Sequence, residues 1–204
     1  KACSFGHAAA TSFFPAKPLG CYGDGGAIFT NDDDLAEIIK SIRMHGKGTT
    51  RYDNVRIGLN SRLDTIQAAI LQVKLQAFIN YELEKVNQIA NFYTERLKNL
   101  VKTPVIPEGY YSSWAQYTIQ LENQKQRDIL HEELKKQGIP TMVYYPNPLS
   151  KQIAFAGLLR THDEHTVTEY LCSRVLSLPI HPYLDGKEML ITTMVEEISN
   201  SILI

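Results

Sequence analysis

The spacing of apolar residues predicts two short strands and a helix at the start of the chain. Ala8–Phe14 is rich in small, β-branched and aromatic residues, which is typical of a short buried strand. Ala27–Thr30 predicts a second short apolar strand. After it, leucine and isoleucine recur at helical spacing, so we expect a helix that begins at a cap residue, Asn31 or Asp32, and runs to about Met44.

The pattern then changes to a long loop and one long helix. His45–Asn60 is polar and contains glycine, and a loop of that length is usually functional or disordered. Leu63–Leu100 has a broad apolar face and no internal glycine or proline. Because this exceeds the usual length of a globular helix, we expect a kink near Asn80 or a passage between two domains. We place the boundary at residue 85, which divides the chain into 1–85 and 86–204.

The remaining residues predict a small α+β unit in which strands and helices alternate. Gly138 ends one of these helices in the manner of a C-terminal cap. The predicted strands are Gln116–Leu121, Ile139–Tyr145 and Ser177–Pro179, and the predicted helices are Gln124–Gln137, Glu164–Leu176 and Lys187–Leu203.

Composition and charge exclude several classes of partner. The 204 residues include 21 basic and 22 acidic side chains, a formal net charge of −1, so no net field attracts nucleic acid or an anionic membrane. Apolar runs are short, which argues against a membrane-spanning helix. The three widely spaced cysteines fit a reducing, cytoplasmic setting. His162 and His165 lack partners at ligand spacing, so we expect no metal site.

Lys17 is the first candidate for chemistry. It lies between a predicted buried strand and a glycine-rich turn, with apolar neighbours on both sides. Burial penalises a charged amine, and a neutral lysine amine is a nucleophile that forms Schiff bases with carbonyl groups. The alternative is a solvated loop lysine. The turn Gly23–Gly26 is either an anion-binding nest or a tight hairpin, because it matches neither a P-loop nor a dinucleotide fingerprint.

Three ordered segments resemble one enzyme family. Ser12–Ala27, which reads SFFPAKPLGCYGDGGA, resembles the lysine motif of the DegT/StrS family of nucleotide-sugar aminotransferases. Gly58–Ala69, GLNSRLDTIQAA, resembles that family's G-x-N-x-R block, and Ile139–Leu149 with Ser177–Pro182 resembles its C-terminal domain. The resemblance implies an α/β fold, that of the PLP-dependent transferases of fold type I. It also implies that 1–85 is the C-terminal part of the large PLP-binding domain and 86–204 the small domain.

The resemblance implies roles for three residues around pyridoxal 5'-phosphate (PLP). Lys17 would form the Schiff base with PLP and then act as general base and acid. Ser12 would donate to the PLP phosphate, and Asn60 would reach the phosphate of the neighbouring subunit in a homodimer with shared active sites. Apart from the family, the Ser12 hydroxyl could be satisfied by its own strand, and Asn60 could be a turn or helix-cap residue.

The resemblance also implies contacts with the sugar. Arg62 matches the arginine that would hold the sugar carboxylate in relatives that aminate 3-keto uronic acid sugars, whereas its alternative is a surface ion pair with Asp64 or Asp53. Tyr144 and Tyr145 lie where the family places sugar-contacting residues, and their alternative is core packing. Many members have a histidine at the position of Tyr144, so the sugar itself stays open.

Together these matches predict an aminotransferase that moves an amino group, from glutamate, to a nucleotide-linked keto-sugar in surface-polysaccharide biosynthesis. Family subunits are much longer and this chain starts at Lys1, so we expect a C-terminal piece that is inactive alone. One alternative is a PLP-dependent sugar dehydratase, although those typically have histidine in place of the lysine. The other is a non-enzymatic PLP-binding regulator or interaction protein.

Overall fold

The computed structural model describes residues 1–50, 52–155, 166–184 and 186–202. Within it the chain divides into two compact units, Lys1–Tyr81 and Glu82–Ile204. The domain boundary predicted from the sequence, at residue 85, lies close to this division. That the two units correspond to the two domains of the family stays a prediction.

The first unit is built on an antiparallel pair of strands. Strand β1 is Ala9–Ser12 and strand β2 is Gly26–Phe29, and they pair from Ala9 opposite Phe29 to Ser12 opposite Gly26. The prediction of a buried first strand is wrong, because β1 alternates half-buried and exposed residues. The sheet has two strands, and such a hairpin covers little of its own surface.

Two helices follow the hairpin. Helix α1 is Asp33–Ile42, and the Asp32 side chain caps it by accepting from the Leu35 N–H at 2.9 Å. Helix α2 is Thr65–Ala77. Among the described residues of this unit, the buried apolar side chains are Cys21 and Leu71. The first unit therefore has very little core of its own.

The long predicted helix is interrupted in its middle. Residues Phe78–Glu82 form a π-helical turn after α2, and helix α3 then runs over Leu83–Leu97. Asn80, where a kink or domain passage was expected, is the central residue of that turn. Such insertions are single turns inside longer helices and are frequent near functional sites.

The described part of the second unit has a two-stranded sheet and four α-helices. Strand β3, Tyr117–Gln120, pairs antiparallel with strand β4, Val175–Leu178. Packed with them is a core that includes Tyr93 and Leu97 of α3. The helices are α3, α4 (Gln124–Lys136), α5 (Thr166–Cys172) and α6 (Lys187–Ile202).

Two predictions in the second unit are wrong. Ile139–Tyr145 is not a strand, because it makes only an isolated bridge between Met142 and Ser177. The predicted helix Glu164–Leu176 extends too far, since α5 ends at Cys172 and Leu176 lies in β4; its first two residues and His162 lie outside the described part of the chain. In both places the pairing partner is distant in sequence, so local spacing does not reveal it.

Candidate active site

Lys17 lies on the connection between β1 and β2, which backbone hydrogen bonds fold into a tight loop. The Phe13 N–H donates to the Gly25 carbonyl oxygen at 2.8 Å, and the Cys21 N–H donates to the Phe13 carbonyl oxygen at 2.8 Å. The Lys17 N–H donates to the Phe14 carbonyl oxygen, also at 2.8 Å. We call Phe13–Gly25 the lysine loop. Its backbone is therefore fixed on both sides of Lys17.

The interior of the lysine loop is filled by Cys21. This side chain is fully buried, and its Sγ lies 3.0 Å from the carbonyl oxygens of both Phe13 and Gly23. Gly20 allows this packing, because a Cβ at that position would lie 2.6 Å from the Phe14 carbonyl oxygen. Small residues thus let the chain close tightly around the thiol.

The Lys17 side chain is exposed in this chain, which agrees with the alternative of a solvated loop lysine. The loop directs Cys21 inward and leaves Lys17 outside. Its apolar neighbours in sequence do not enclose it, since Phe14 is itself 51% exposed. A lysine presented outward from a rigid loop can meet a carbonyl group that arrives from outside.

Ser12 ends strand β1 close to the lysine loop in sequence. Its Oγ accepts a hydrogen bond from the Phe14 N–H at 3.1 Å, and the residue is exposed. A serine hydroxyl that accepts one hydrogen bond still has its own hydrogen to donate. Ser12 can therefore serve its own turn and a bound anion at the same time.

Asn60 and Arg62 lie together on the segment that leads into α2. The Arg62 Nε–H donates to the Asn60 Oδ1 at 2.9 Å. The backbone of this segment is anchored beside the end of α1, where the His45 N–H donates to the Leu59 carbonyl oxygen at 2.8 Å and the Ser61 N–H donates to that of Arg43 at 2.9 Å. Since Oδ1 is already engaged, the amide NH₂ of Asn60 is the group left to bind an external acceptor.

A cavity of about 810 Å³ in the first unit is lined by Asn60, Arg62, Asp24 and Arg43, among others. Asn60 and Arg62 are thus brought together at this cavity. Ser12 and Lys17 are not among the residues that line it. Among the described residues Arg62 makes no ion pair, so the expected alternative of a pair with Asp64 or Asp53 is not observed. A guanidinium here is available for an anionic ligand.

Gln67 is a site residue that the sequence analysis did not assign. Its Oε1 accepts a hydrogen bond from the Tyr22 N–H at 2.8 Å, so α2 holds the lysine loop from outside. The sequence feature that could have identified Gln67 is its position in the block Gly58–Ala69, on the same helical face as Leu71. Nothing in the local pattern shows which backbone group a glutamine side chain meets.

Tyr144 and Tyr145 lie in the second unit. Their rings are 5.6 Å apart at 69°, and the peptide bond between them is cis. Tyr144 is 37% exposed and Tyr145 is 68% exposed, so neither belongs to the core, and the alternative of core packing does not hold. Two neighbouring exposed aromatic rings are a suitable surface for a sugar or nucleotide.

No helix in the described ranges combines enough length and apolarity to cross a membrane. Within those same ranges, no group of three or more histidine, cysteine, aspartate or glutamate side chains could hold a metal ion.

Comparison with known proteins identifies relatives along most of the chain. A model of the DegT/DnrJ/EryC1/StrS aminotransferase family matches residues 1–198. The UDP-2-acetamido-2-deoxy-3-oxo-D-glucuronate aminotransferase of Pseudomonas aeruginosa is 47% identical over 189 residues, which cover 91% of this chain and 50% of that protein. The pleiotropic regulatory protein of Geobacillus stearothermophilus is 44% identical over 186 residues, 90% of this chain and 49% of that protein. The chain spans about half the length of these curated relatives.

Solved structures agree with the sequence matches. A DegT DnrJ EryC1 StrS aminotransferase from Brucella abortus superposes with a TM-score of 0.90 at 51% identity, over 96% of this chain and 52% of that one. A Bacillus subtilis structure with bound cofactor PMP has a TM-score of 0.82 at 25% identity, over 98% of this chain and 47% of that one. These matches confirm the predicted fold class, that of the fold-type-I PLP-dependent transferases. The chain belongs to the DegT/DnrJ/EryC1/StrS aminotransferase family.

Proposed function

We propose that this chain is part of a PLP-dependent aminotransferase that moves an amino group from glutamate to a nucleotide-linked keto-sugar. The observation that carries the proposal is Lys17, which stands exposed on a loop whose backbone is fixed by hydrogen bonds on both sides. A fixed backbone with an outward amine is what a lysine needs to meet a cofactor carbonyl repeatedly in one geometry.

The polar groups fit PLP. A phosphate is best held by short donors on rigid elements. The Ser12 hydroxyl is exposed and has its hydrogen to donate, and the amide of Asn60 is oriented with its NH₂ outward because Arg62 occupies its oxygen. When bound, PLP supplies the electron sink and the carrier of the amino group.

Lys17 is the residue proposed to move protons. Its Nζ would bind the cofactor. Once released, it would accept a proton from the α-carbon of the amino donor and return that proton to the molecule that the donor forms with the cofactor. The rigid loop limits the volume that the amine searches, which is how orientation lowers a barrier.

The proposal includes a homodimer in which each subunit completes its partner's site. Asn60 lines a cavity together with Asp24 and Gly25 of the lysine loop, whereas Lys17 and Ser12 are not part of that lining. The absence of Lys17 and Ser12 from this lining supports the proposal that Asn60 reaches the phosphate in the partner's site. The setting proposed is the cytoplasm, where nucleotide sugars are prepared for surface polysaccharides such as O-antigen.

The substrate proposed is a UDP-linked 3-oxo uronic acid sugar. The Pseudomonas aeruginosa relative carries a name of that kind, and Arg62 has a guanidinium with no ion-pair partner among the described residues to offer a carboxylate. Tyr144 and Tyr145 are proposed to contact the sugar through their exposed rings.

The test uses the full-length parent protein incubated with PLP and then reduced with borohydride. Peptide mapping should place the cofactor mass on Lys17, and Lys17→Ala should abolish both the adduct and glutamate-dependent turnover of the keto-sugar. An adduct on another lysine, or full turnover by Lys17→Ala, would contradict the proposal.

The regulatory alternative is favoured by the name of the Geobacillus stearothermophilus relative. PLP binding would not separate the two functions, because a regulator could bind it as well. Turnover of the keto-sugar by the parent protein would separate them. The dehydratase alternative stays weaker, because its members typically lack a lysine at the position of Lys17.

A further inference from the structure

The lysine loop is attached to one face of α2. Gln67, Leu71 and Lys74 are spaced so that they lie on the same side of that helix. Leu71 is the buried member of the three, and the Lys74 Nζ lies 5.4 Å from the centre of the Tyr22 ring. The tip of the loop, Tyr22 and Gly23, therefore packs on α2 along this face.

Gln67 makes the polar contact of this face with the loop. Its Oε1 accepts from the Tyr22 N–H at 2.8 Å, a bond between residues 45 positions apart. Its Nε2 lies 3.1 Å from where a Cβ on Gly23 would be, so the glycine lets the amide lie flat against the loop backbone. The backbone bonds within the loop are local, whereas this bond joins the loop to a helix.

We propose that Gln67 is a positioning residue that holds the tip of the lysine loop and, through it, Lys17. The catalytic part of this inference rests on the proposed function of Lys17. If the Gln67 acceptor were lost, the local bonds from Phe13 to Cys21 and Gly25 would remain, but the tip would be free to move away from α2. The amine would then sample more positions, and productive contact with the cofactor would become rarer.

The hydrogen bond from the Tyr22 N–H to Gln67 joins two segments that have different proposed functions. Helix α2 begins at Thr65, directly after the segment that carries Asn60 and Arg62. Gln67 thus ties the loop that serves a subunit's own site to the segment whose Asn60 is proposed to serve its partner's site. A displaced α2 would disturb both.

The test compares Gln67→Met, which keeps the size but lacks an acceptor, with Gln67→Glu, which keeps an acceptor oxygen. Gln76→Met on the exposed side of α2 is the matched control. In the cofactor-free parent protein, we measure amide exchange of the peptide that contains Tyr22 and the alkylation rate of the buried Cys21. Gln67→Met should raise both rates about tenfold, because one hydrogen bond no longer opposes opening. Gln67→Glu and the control should match the wild type.

A second variant changes the loop side of the contact with Gln67. Gly23→Ala places a methyl group against the Gln67 amide and should raise the same two rates while leaving Gln67 in place. In the PLP-loaded protein, Gln67→Met should lower kcat about tenfold, with KM for the donor changing less. Gln67→Glu should restore most of kcat.

The inference is overturned if neither Gln67→Met nor Gly23→Ala changes exchange at Tyr22, or if Gln67→Glu is as impaired as Gln67→Met. The failure of the proposed function has a different signature. A wild-type protein that carries no reducible PLP on Lys17 would refute the aminotransferase proposal, while the exchange results would still decide whether Gln67 holds the loop.

Discussion

The orientation of the Asn60 amide is decided by a single neighbouring side chain. The Arg62 Nε–H donates to the Asn60 Oδ1 at 2.9 Å. This leaves the remaining guanidinium N–H groups of Arg62 and the NH₂ of Asn60 as donors. The pair therefore presents donors alone, which suits a phosphate or a carboxylate.

Removing the Arg62 guanidinium should affect acidic and neutral sugars differently. In the parent protein, Arg62→Gln should raise KM for a 3-oxo uronic acid substrate by roughly 10- to 100-fold, because a charge-assisted pair is lost. KM for the matching neutral sugar should rise less, because that sugar loses no carboxylate pair and is affected only through the Asn60 amide. The measurement is steady-state kinetics with both substrates, and Arg56→Gln, an exposed arginine of the same loop, is the control. Equal losses for both sugars would argue against a carboxylate contact.

Two buried tyrosines should make the folded state less stable at alkaline pH. Burial, and then the nearby Glu188 and Tyr117, raise the pKa of Tyr93, and burial raises the pKa of Tyr117 despite its hydrogen bond with Thr94. The folded state therefore favours the protonated phenols, so the stability they contribute is present below the ordinary tyrosine pKa of about 10 and lost as pH rises through the folded-state value.

Absorbance at 295 nm during alkaline titration should show this. Part of the tyrosinate signal should appear only together with unfolding followed by circular dichroism. In Tyr117→Phe that late component should be smaller. If all tyrosines ionised while the far-ultraviolet spectrum stayed native, the assignment of Tyr93 and Tyr117 as protonated core groups would be wrong.

At the scale of elements, α3 and α6 are joined by a two-pronged ion pair. The Arg96 Nε and Nη2 donate to the two carboxylate oxygens of Glu196 at 2.7 and 2.6 Å. These bonds, with the charge of Arg96, hold the pKa of Glu196 below its ordinary value although partial burial opposes the shift. Unlike the pairs within single helices, this one connects residues 100 positions apart.

The pair should stabilise the second unit in a pH-dependent way. Because the folded-state pKa of Glu196 is lowered, its contribution is present above the ordinary glutamate pKa, near 4.3, and is lost as pH falls through the folded value. Glu196→Gln should therefore be less stable than the wild type at pH 7, and the difference should shrink toward pH 3. Urea unfolding across that range measures it. Glu95→Gln, which breaks the local pair with Lys98, is the control and should show a smaller effect. A difference that did not vary with pH would contradict this account.

At the scale of the whole chain, the two units differ in how much apolar surface they bury. The described part of the second unit has a continuous core that includes Tyr93, Tyr117, Leu130 and Leu176. The described part of the first unit leaves large apolar side chains such as Ile57, 97% exposed, and Ile66, 74% exposed, in contact with solvent. Burial of apolar surface is the main source of stability, so the units should not be equally stable.

Hydrogen exchange of this chain should reveal that difference. Amides of β3, β4 and α4 should exchange at least about tenfold more slowly than those of β1, β2 and α1, since local opening depends on buried contacts. The two sets of elements serve as internal references for each other and are measured in one mass-spectrometry experiment. Equal protection in both units would show that something other than core burial stabilises the first.

Much of the fold follows from local sequence. The Asp32 cap, the extent of α4 and the interruption around Asn80 depend on residues within a few positions, so helical spacing and cap chemistry were sufficient to predict them. The family motifs likewise identified Lys17 and Asn60 as candidates. The prediction of a strand at Ile139–Tyr145 was wrong, because a strand needs a paired neighbour along its length. This segment makes only an isolated bridge to Ser177.

By itself, the sequence determined the family, the order of most elements and the candidate residues of the site. It could not determine that Lys17 is exposed, because apolar neighbours in sequence are not the atoms that surround a side chain in space. It could not show that Gln67 holds the Tyr22 backbone, or that Arg62 orients Asn60. Those facts depend on side-chain directions and on contacts between distant segments, which only the tertiary structure decides.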